Sequence, residues 1–457
     1  MDDKVSKVNN KSKRLEKESV LKLLFFLSVP SMISMLVNSL YNIIDSIYIG
    51  HFSTDGLSAL SLAFPIQLIL ISISSGLGIA TSSLISRLLG EKKKEKVFET
   101  MSFVTTFIIF YSLLVAIIGL FFSNFLISLF TNNKTLIDMG GNYLKIIMIG
   151  NLFMVLPMVY NSFLRGFGDT FNPMITMLIG AFSNILLDPF FIFGLLFFPE
   201  MGVKGAALAT VISRILSSIY ILIIIIKNKF NIKIRFKLPE VRIIKDLFRI
   251  SIPATFMMFL TSVMFLFVNK IVIIFSNPLG IAVLGLYFRL QTLFLMPIMG
   301  LSQGLQPIIG YNYGSKNFKR VKKALFYGVE FSLLISLIAF VFFWLFPTFL
   351  IKLFSNDPNL INIGEVALKR VSLAFPFMAF SMIISRSFQS IGRGSPSFII
   401  SLFRQIIILV PVFYLLIKFY DLNIAWFAFP IAEFITFFVS LIWFLVVFRK
   451  EGILGNV

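Results

Sequence analysis

Residues 76–97 read GLGIATSSLISRLLGEKKKEKV and residues 300–321 read GLSQGLQPIIGYNYGSKNFKRV. Each is an apolar run that reaches a glycine (Gly90, Gly314) and then breaks into a cluster of cations. An apolar run with lysines at its end reads as a membrane helix leaving the bilayer on its cytoplasmic side, where positive loops are retained. That the pattern occurs twice, 224 residues apart, points to a duplicated chain. Other segments follow the same offset. LSVPSMISML (27–36) answers ISIPATFMMF (250–259), with Pro30 opposite Pro253; Gln67 stands opposite Gln291; and SFLRGFGDTFNP (162–173) answers SFQSIGRGSPS (387–397) with one residue fewer.

The rest of the chain supports a membrane reading. Of 457 residues 58% are hydrophobic and 14% charged, and 56 are Phe, whereas a soluble domain is about half apolar and a quarter charged. About 20 apolar residues cross a bilayer as a helix. Twelve such segments are expected, near 24–50, 57–86, 98–123, 137–163, 170–197, 202–226, 248–276, 280–311, 322–347, 360–388, 397–418 and 422–447. Of the 41 Lys and Arg residues, 30 fall in the N-terminal arm, the even-to-odd loops and the C-terminal tail. Only six fall in the opposite loops: Lys134, Lys204, Lys352, Lys369, Arg370 and Lys418. Both termini are therefore expected in the cytoplasm of a multi-pass cell (plasma or inner) membrane protein, and the net charge of +20 is a topology signal rather than a nucleic-acid footprint. The first twenty residues lack the apolar core of a signal peptide and are expected to remain as a solvent-exposed arm.

Six spans separate the two copies, an even number, so both insert the same way up. Parallel repeats about an axis along the membrane normal are used by transporters that rock one half against the other. The expected organisation is an arm at 1–22, a first lobe at 23–226, a cytoplasmic linker at 227–247, a second lobe at 248–447 and a tail at 448–457. A static channel built by duplication is the competing reading.

Composition removes several chemistries. With no Cys and a single His, His51, thiol catalysis, disulfides and a zinc site are not expected. No G-x-x-x-x-G-K-[ST] loop is present for a nucleotide-driven pump, and no DDxxD cluster for a transferase that works on metal-bound diphosphate.

Polar residues inside the spans are expensive and so are functional candidates. In VNSLYNIIDSIYIG (37–50), Asn38, Asn42 and Asp45 fall at i, i+4 and i+7, and Ser31 and Ser34 extend that face. In FSNILLDPFFIFG (182–194), Asn184 and Asp188 lie one turn apart and Pro189 follows. Because proline has no N–H, a carbonyl one turn earlier, near Ile185, lacks its helical partner. Two carboxylates, two amides and a freed carbonyl make an oxygen-rich site for H⁺ or Na⁺. The two asparagines also fit a plain interhelical hydrogen-bonding role. The second half offers no matching acid pair: Val268 or Asn269 stands opposite Asp45, and Lys270 follows. Its ionisable groups, Lys270, Arg289, Glu330, Arg404 and Glu433, are expected to neutralise one another, for example Glu330 or Glu433 with a basic neighbour. Gln291, Gln303, Gln306 and Gln389 are candidates for a cavity lining, and Phe and Met for an apolar cavity wall.

These segments, with YNIIDSIYIGHFSTDGLSALSLAFP (41–65), LRGFGDTFNPM (164–174), MGVKGAALAT (201–210) and FQSIGRGSP (388–396), resemble the multidrug and toxic-compound extrusion (MATE) transporters from about residue 22 to 447. The resemblance implies an all-α polytopic membrane protein whose twelve transmembrane helices form two pseudo-symmetric six-helix lobes around a V-shaped central cleft. It implies export of small-molecule xenobiotics, amphipathic and often cationic, in exchange for H⁺ or Na⁺ with no cofactor. It carries a cation site over to Asp45, Asn184, Asp188 and Thr210. A substrate cavity is expected to include Asn38, Asn42, Gln67, Gln291, Arg289 and Gln303. No acid lies in span 7, so the chain looks more like the bacterial DinF-like or MepA-like branch, and a second cation site of the family's other type is not expected. A monomer that binds no nucleic acid is expected. The alternative is a flippase for lipid-linked oligosaccharide or cell-wall precursors, for which Arg289 and Lys270 would supply a cationic cavity.

Overall fold

The computed structural model describes residues 14–196, 198–228, 239–276 and 278–454, without the side chains at 42, 43, 46 and 278. Of the expected arm, linker and tail, residues 1–13, 229–238 and 455–457 lie outside the described residues. A bilayer core supplies no water to backbone groups, so a spanning chain closes its hydrogen bonds within helices, and the described elements are all helical. Ten helices are long and apolar enough to cross a membrane, and two bent pairs bring the number to twelve.

The first half is built from α1 (Val20–Phe52), α2 (Thr54–Gly90), α3 (Lys94–Ser128), the bent α4 (Lys134–Ile149 with Asn151–Gly166), α5 (Phe171–Phe193) and α6 (Val203–Lys227). The second is built from α7 (Val241–Phe275), α8 (Pro278–Gly314), α9 (Phe318–Leu345), the bent α10 (Pro358–Ser372 with Phe375–Ser390), α11 (Gly394–Phe419) and α12 (Leu422–Lys450). Each expected span has its helix.

The repeat extends to fine detail. Asn133 and Asp357, 224 residues apart, both cap the first piece of a bent helix: Asn133 Oδ1 accepts from the backbone N–H of Thr135 (3.0 Å), and Asp357 Oδ1 from that of Asn359 (2.9 Å). Such caps satisfy amides that the first helical turn leaves open. The bends, 50° in α4 and 48° in α10, also fall at matching places, Gly150 and Leu373–Ala374. At Gly150 a Cβ would stand 2.5 Å from Val211 on α6, so the glycine lets α6 approach; at α10, Pro376 in the first turn of the second piece removes an N–H. α11 departs from its counterpart. Residues Phe403–Leu409 wind as π-helix just before Pro411, whose missing N–H interrupts the regular ladder.

The halves join at the end that carries the cationic loops. One apolar core there takes Leu27, Leu84 and Phe163 from the first half and Ile250, Leu305 and Phe388 from the second. Toward the other end the cores are separate, one around Tyr143 and Leu144 and one around Tyr287, Phe413 and Trp426. Contacts across the seam follow the repeat. A Cβ on Gly300 of α8 would lie 2.5 Å from the Met32 Cα of α1, and a Cβ on Gly76 of α2 would lie 2.7 Å from the Ser251 carbonyl oxygen of α7. Both crossings bring backbone against backbone, and a side chain at either glycine would prise the halves apart. Beneath them, polar ties run from half to half: Lys96 to Glu240 (2.8 Å), Arg87 to Asp246 (4.0 Å), and the Ser83 hydroxyl to the Gln389 carbonyl (2.5 Å). The halves thus diverge from a shared base and leave a cleft toward the far end.

Candidate functional site

Asp188 is fully buried on α5 and Asn184 nearly so. The i, i+4 spacing puts them on one face, and Asn184 Nδ2 donates to Asp188 Oδ1 at 3.0 Å. α1 packs along α5 and brings Asp45, half-buried, opposite, so that the two carboxyl groups face each other. Three acceptor oxygens are left buried without a hydrogen-bond partner: Asp45 Oδ1, Asp188 Oδ2 and Asn184 Oδ1. Leaving a buried polar group unpaired costs about 1–3 kcal/mol, more for a charged one, so three such oxygens at one place suit a bound proton or cation. The other residues expected to build the site distribute unevenly. Ser31 and Ser34 extend the polar face only in sequence, since their hydroxyls bond back to the Leu27 and Pro30 carbonyls of their own helix. Asn42 is in α1, with its side chain outside the described residues, and Asn38 is half-buried one turn earlier. Thr210 is buried on α6, its carbonyl accepting from the Ser213 hydroxyl at 2.8 Å.

Sequence reading missed two tyrosines and an arginine. Tyr143, 4% exposed on α4, stands beside both carboxylates and faces Gln67 of α2, so Gln67 belongs to the surroundings of the acid pair. Tyr41 precedes Asp45 by one turn, and its hydroxyl accepts from Arg214 Nη2 of α6 at 3.2 Å, with the guanidinium 5.5 Å from the ring centroid. Arg214 follows Thr210 by one turn. The i±4 rule applied to Asp45 and Thr210 would have found Tyr41 and Arg214; no sequence signal points to Tyr143.

The remaining cavity candidates lie on α8. Gln303 sits at the seam, its Nε2 donating to Met35 Sδ at 3.4 Å while Oε1 has no partner. Arg289 is exposed three turns from Gly300, on the same face of the helix, above the point where α8 meets α1. Gln291 turns the other way, buried with its Nε2 on Met378 Sδ (3.7 Å), and so sits inside the second half. Among the expected neutral pairs, Glu433 has its basic neighbour in Arg404, with Nε 3.7 Å from Oε1; Glu330 is exposed.

Comparison with known proteins accords with this arrangement. A family model described as MatE matches residues 30–190 and again 253–415, one match in each half. The multidrug export protein MepA of Staphylococcus aureus (strain MRSA252) is 28% identical over 410 residues, 88% of each chain. The FAD transporter of Shewanella oneidensis is 28% identical over 398 residues, 86% of this chain and 87% of that one. Among solved structures, an outward-facing multidrug resistance MATE family transporter of the MOP superfamily superposes with a TM-score of 0.91 at 27% identity, covering 96% of this chain and 98% of the other.

Proposed function

This chain belongs to the MatE family, and on that premise we propose that it is a secondary active exporter, moving drugs and other amphipathic organic compounds outward in exchange for H⁺ or Na⁺. The observation that carries the reading is the pair Asp45–Asp188, two carboxyl groups face to face between α1 and α5 with buried oxygens left unpartnered. In this reading the exchanged cation is cargo held by Asp45 and Asp188, with Asn184 fixing the orientation of Asp188. The carbonyl freed by Pro189 adds an acceptor on the same turn, and Thr210 and Tyr143 line the surroundings.

Coupling requires that cation and compound prefer different arrangements of the same protein, because a ligand shifts an equilibrium only through its differential affinity. α1 is suited to transmit that preference: one end carries Asp45 and the other packs on α8 at the seam. Cation binding at Asp45 changes how α1 packs on α5, and α1 passes that change to the seam. The segments 23–226 and 248–447 act as the two moving lobes, in a monomer in the cell membrane with both termini in the cytoplasm, as the Lys and Arg distribution indicates.

The test is efflux of ethidium from proteoliposomes under separately imposed pH and Na⁺ gradients. One gradient is expected to drive efflux in the wild type and to fail in Asp188→Asn at equal reconstitution; efflux indifferent to both gradients would refute the reading. A second reading, export of an anionic amphiphile, is favoured by guanidinium groups. Arg289 lies on the cleft-side face of α8, and Arg165 and Arg386 stand near each other from opposite halves with no ion-pair partner among the described residues. The Shewanella relative is named for such a solute. Inhibition of dye efflux by FAD would support it.

A further inference from the structure

The buried acids among the described residues are Asp169, Asp188 and Glu433. Asp169 is occupied in a turn, accepting from the backbone and side-chain amides of Asn172. Glu433, 5% exposed on α12, has no such satisfaction. Arg404 Nε is 3.7 Å from Oε1, beyond the 2.7–2.9 Å typical of a charge-assisted hydrogen bond, and Oε2 has no partner at all. Three further buried oxygens have no hydrogen-bond partner: the hydroxyl of Tyr287 on α8, which faces Glu433, Thr436 Oγ1 one turn on along α12, and Oε1 of Gln405, next in sequence to Arg404 on α11. Phe429, one turn before Glu433, packs edge-on against Tyr287 at 5.1 Å, which brings α8 and α12 together at this level. Buried polar side chains in folded proteins are nearly always hydrogen-bonded, and the two hydroxyls can donate as well as accept, so the carboxyl oxygen Oε2 of Glu433, buried and without a partner, marks a place that takes up a proton.

We propose that Glu433 is a second proton-binding group of this transporter, held against Arg404, and separate from the acid pair of the first half. The inference rests on the exporter reading above for its role in transport, though not for the protonation itself. A proton delivered from water to Glu433 Oε2 turns an acceptor into a donor that a neighbouring oxygen can accept. No covalent step or further reactant is involved. A metal ion fits less well, since it would need several of these oxygens at once beside a fixed guanidinium. The charged and titratable groups facing the site are Arg404 from α11, Tyr287 from α8 and, farther off, Arg370 from α10, whose guanidinium lies 4.8 Å from the Phe427 ring. The second piece of α10 meets α12 through uncharged serines, Ser381 and Ser440. Arg404 and Gln405 both sit in the π-helical turn of α11. Such turns recur at functional sites, and a slip of this one to regular helix would change the Arg404–Glu433 separation.

The test is infrared difference spectroscopy of the full-length protein in lipid, titrated with acid in H₂O and D₂O without added ligand. Glu433→Gln is expected to remove one protonated-carboxyl band and to leave a second, which Asp188→Asn removes. Glu433→Asp should keep a band at a shifted frequency, which a purely structural ion pair would not produce. If Glu433→Gln folds poorly, the Glu433→Asp shift alone decides. A carboxyl region identical in wild type and Glu433→Gln, or unmoved in Glu433→Asp, would overturn the proposal and leave Glu433 a permanent ion pair. Loss of the Glu433 band with no band assignable to Asp188 would support Glu433 and count against the first-half site instead.

Discussion

In the first half, Asp45 and Asp188 face each other with an amide beside them and no basic group at ion-pair distance among the described residues. In the second, the position answering Asp45 is Val268 or Asn269, and the buried acid Glu433 has an arginine at 3.7 Å. The backbones repeat down to the capping residues and the bends, yet the electrostatics do not. Duplication fixes where helices cross, because the seam requires matched glycines; it leaves the interior of each half free to diverge. Two carboxylates with no cation beside them are costly in an apolar interior unless positive charge is bound, whereas Glu433 has an arginine beside one oxygen and leaves only the other, Oε2, unpartnered.

Substitutions test this contrast by expected size of effect. Asp188→Asn, and separately Asp45→Asn, should abolish gradient-driven efflux, and the double variant should do no further harm, since either change breaks one unit. Glu433→Gln should leave efflux measurable, because the first-half pair is intact; equal loss in all three would erase the distinction between the halves. Asn184→Ala removes the donor to Asp188. A hydrogen bond to a charged group is worth about 1.5–3 kcal/mol, so the driving-ion concentration at half-maximal efflux should move by roughly 10- to 150-fold.

Gly300→Leu addresses the seam instead. Overpacking costs about 1–3 kcal/mol, and because the clash is with α1 backbone it should fall on the arrangement described here, in which α1 and α8 touch. The chain has no native Cys, so a single Cys placed on the cleft-side face of α8 reports accessibility, and labelling from the far side should drop. Unchanged labelling would mean that the crossing tolerates separation.

The smallest effect is expected at the ties near the cationic loops. Glu451 receives Arg393 at 2.6 Å and the Tyr313 hydroxyl. Burial pushes its carboxyl up, but the hydrogen bonds from Tyr313 and Arg393 outweigh that and hold it below the ordinary value. Glu240 and Glu18 are also held low, by hydrogen bonds from Lys96 and Arg14. A carboxyl whose folded value is depressed contributes stability above its unfolded value, near 4.3, and loses it as pH falls through the folded one. These ties therefore stay constant between pH 5 and 8, and a pH dependence of transport in that window belongs to groups inside the halves. Glu451→Gln should lower stability by about 0.2–1 kcal/mol, read as a small drop in melting temperature with the pH profile of efflux unchanged.

The span count, the repeat and the gathering of the cationic loops at one end were legible in the sequence because hydropathy and charge act locally. Asp188 with Asn184 was legible for the same reason: i, i+4 spacing is a property of one helix. The break at Gly150 was not, since its cause is the approach of Val211 from another helix. Nor was the π-helical turn at Phe403–Leu409, or Tyr143 beside the acid pair, which depends on how α4 packs against α2, α3 and α6. Gln291 shows the opposite failure. Its repeat partner Gln67 faces the acid-pair region, but Gln291 turns into the second half's own core, so repeat position did not carry function with it.

Export by this protein is expected to be coupled to cation movement through the Asp45–Asp188 pair. Ethidium efflux from proteoliposomes with only a pH gradient, then only a Na⁺ gradient, tests it most directly in wild type and Asp188→Asn side by side. One gradient should accelerate wild-type efflux and neither should accelerate the variant. Acceleration of equal size in both proteins would contradict it.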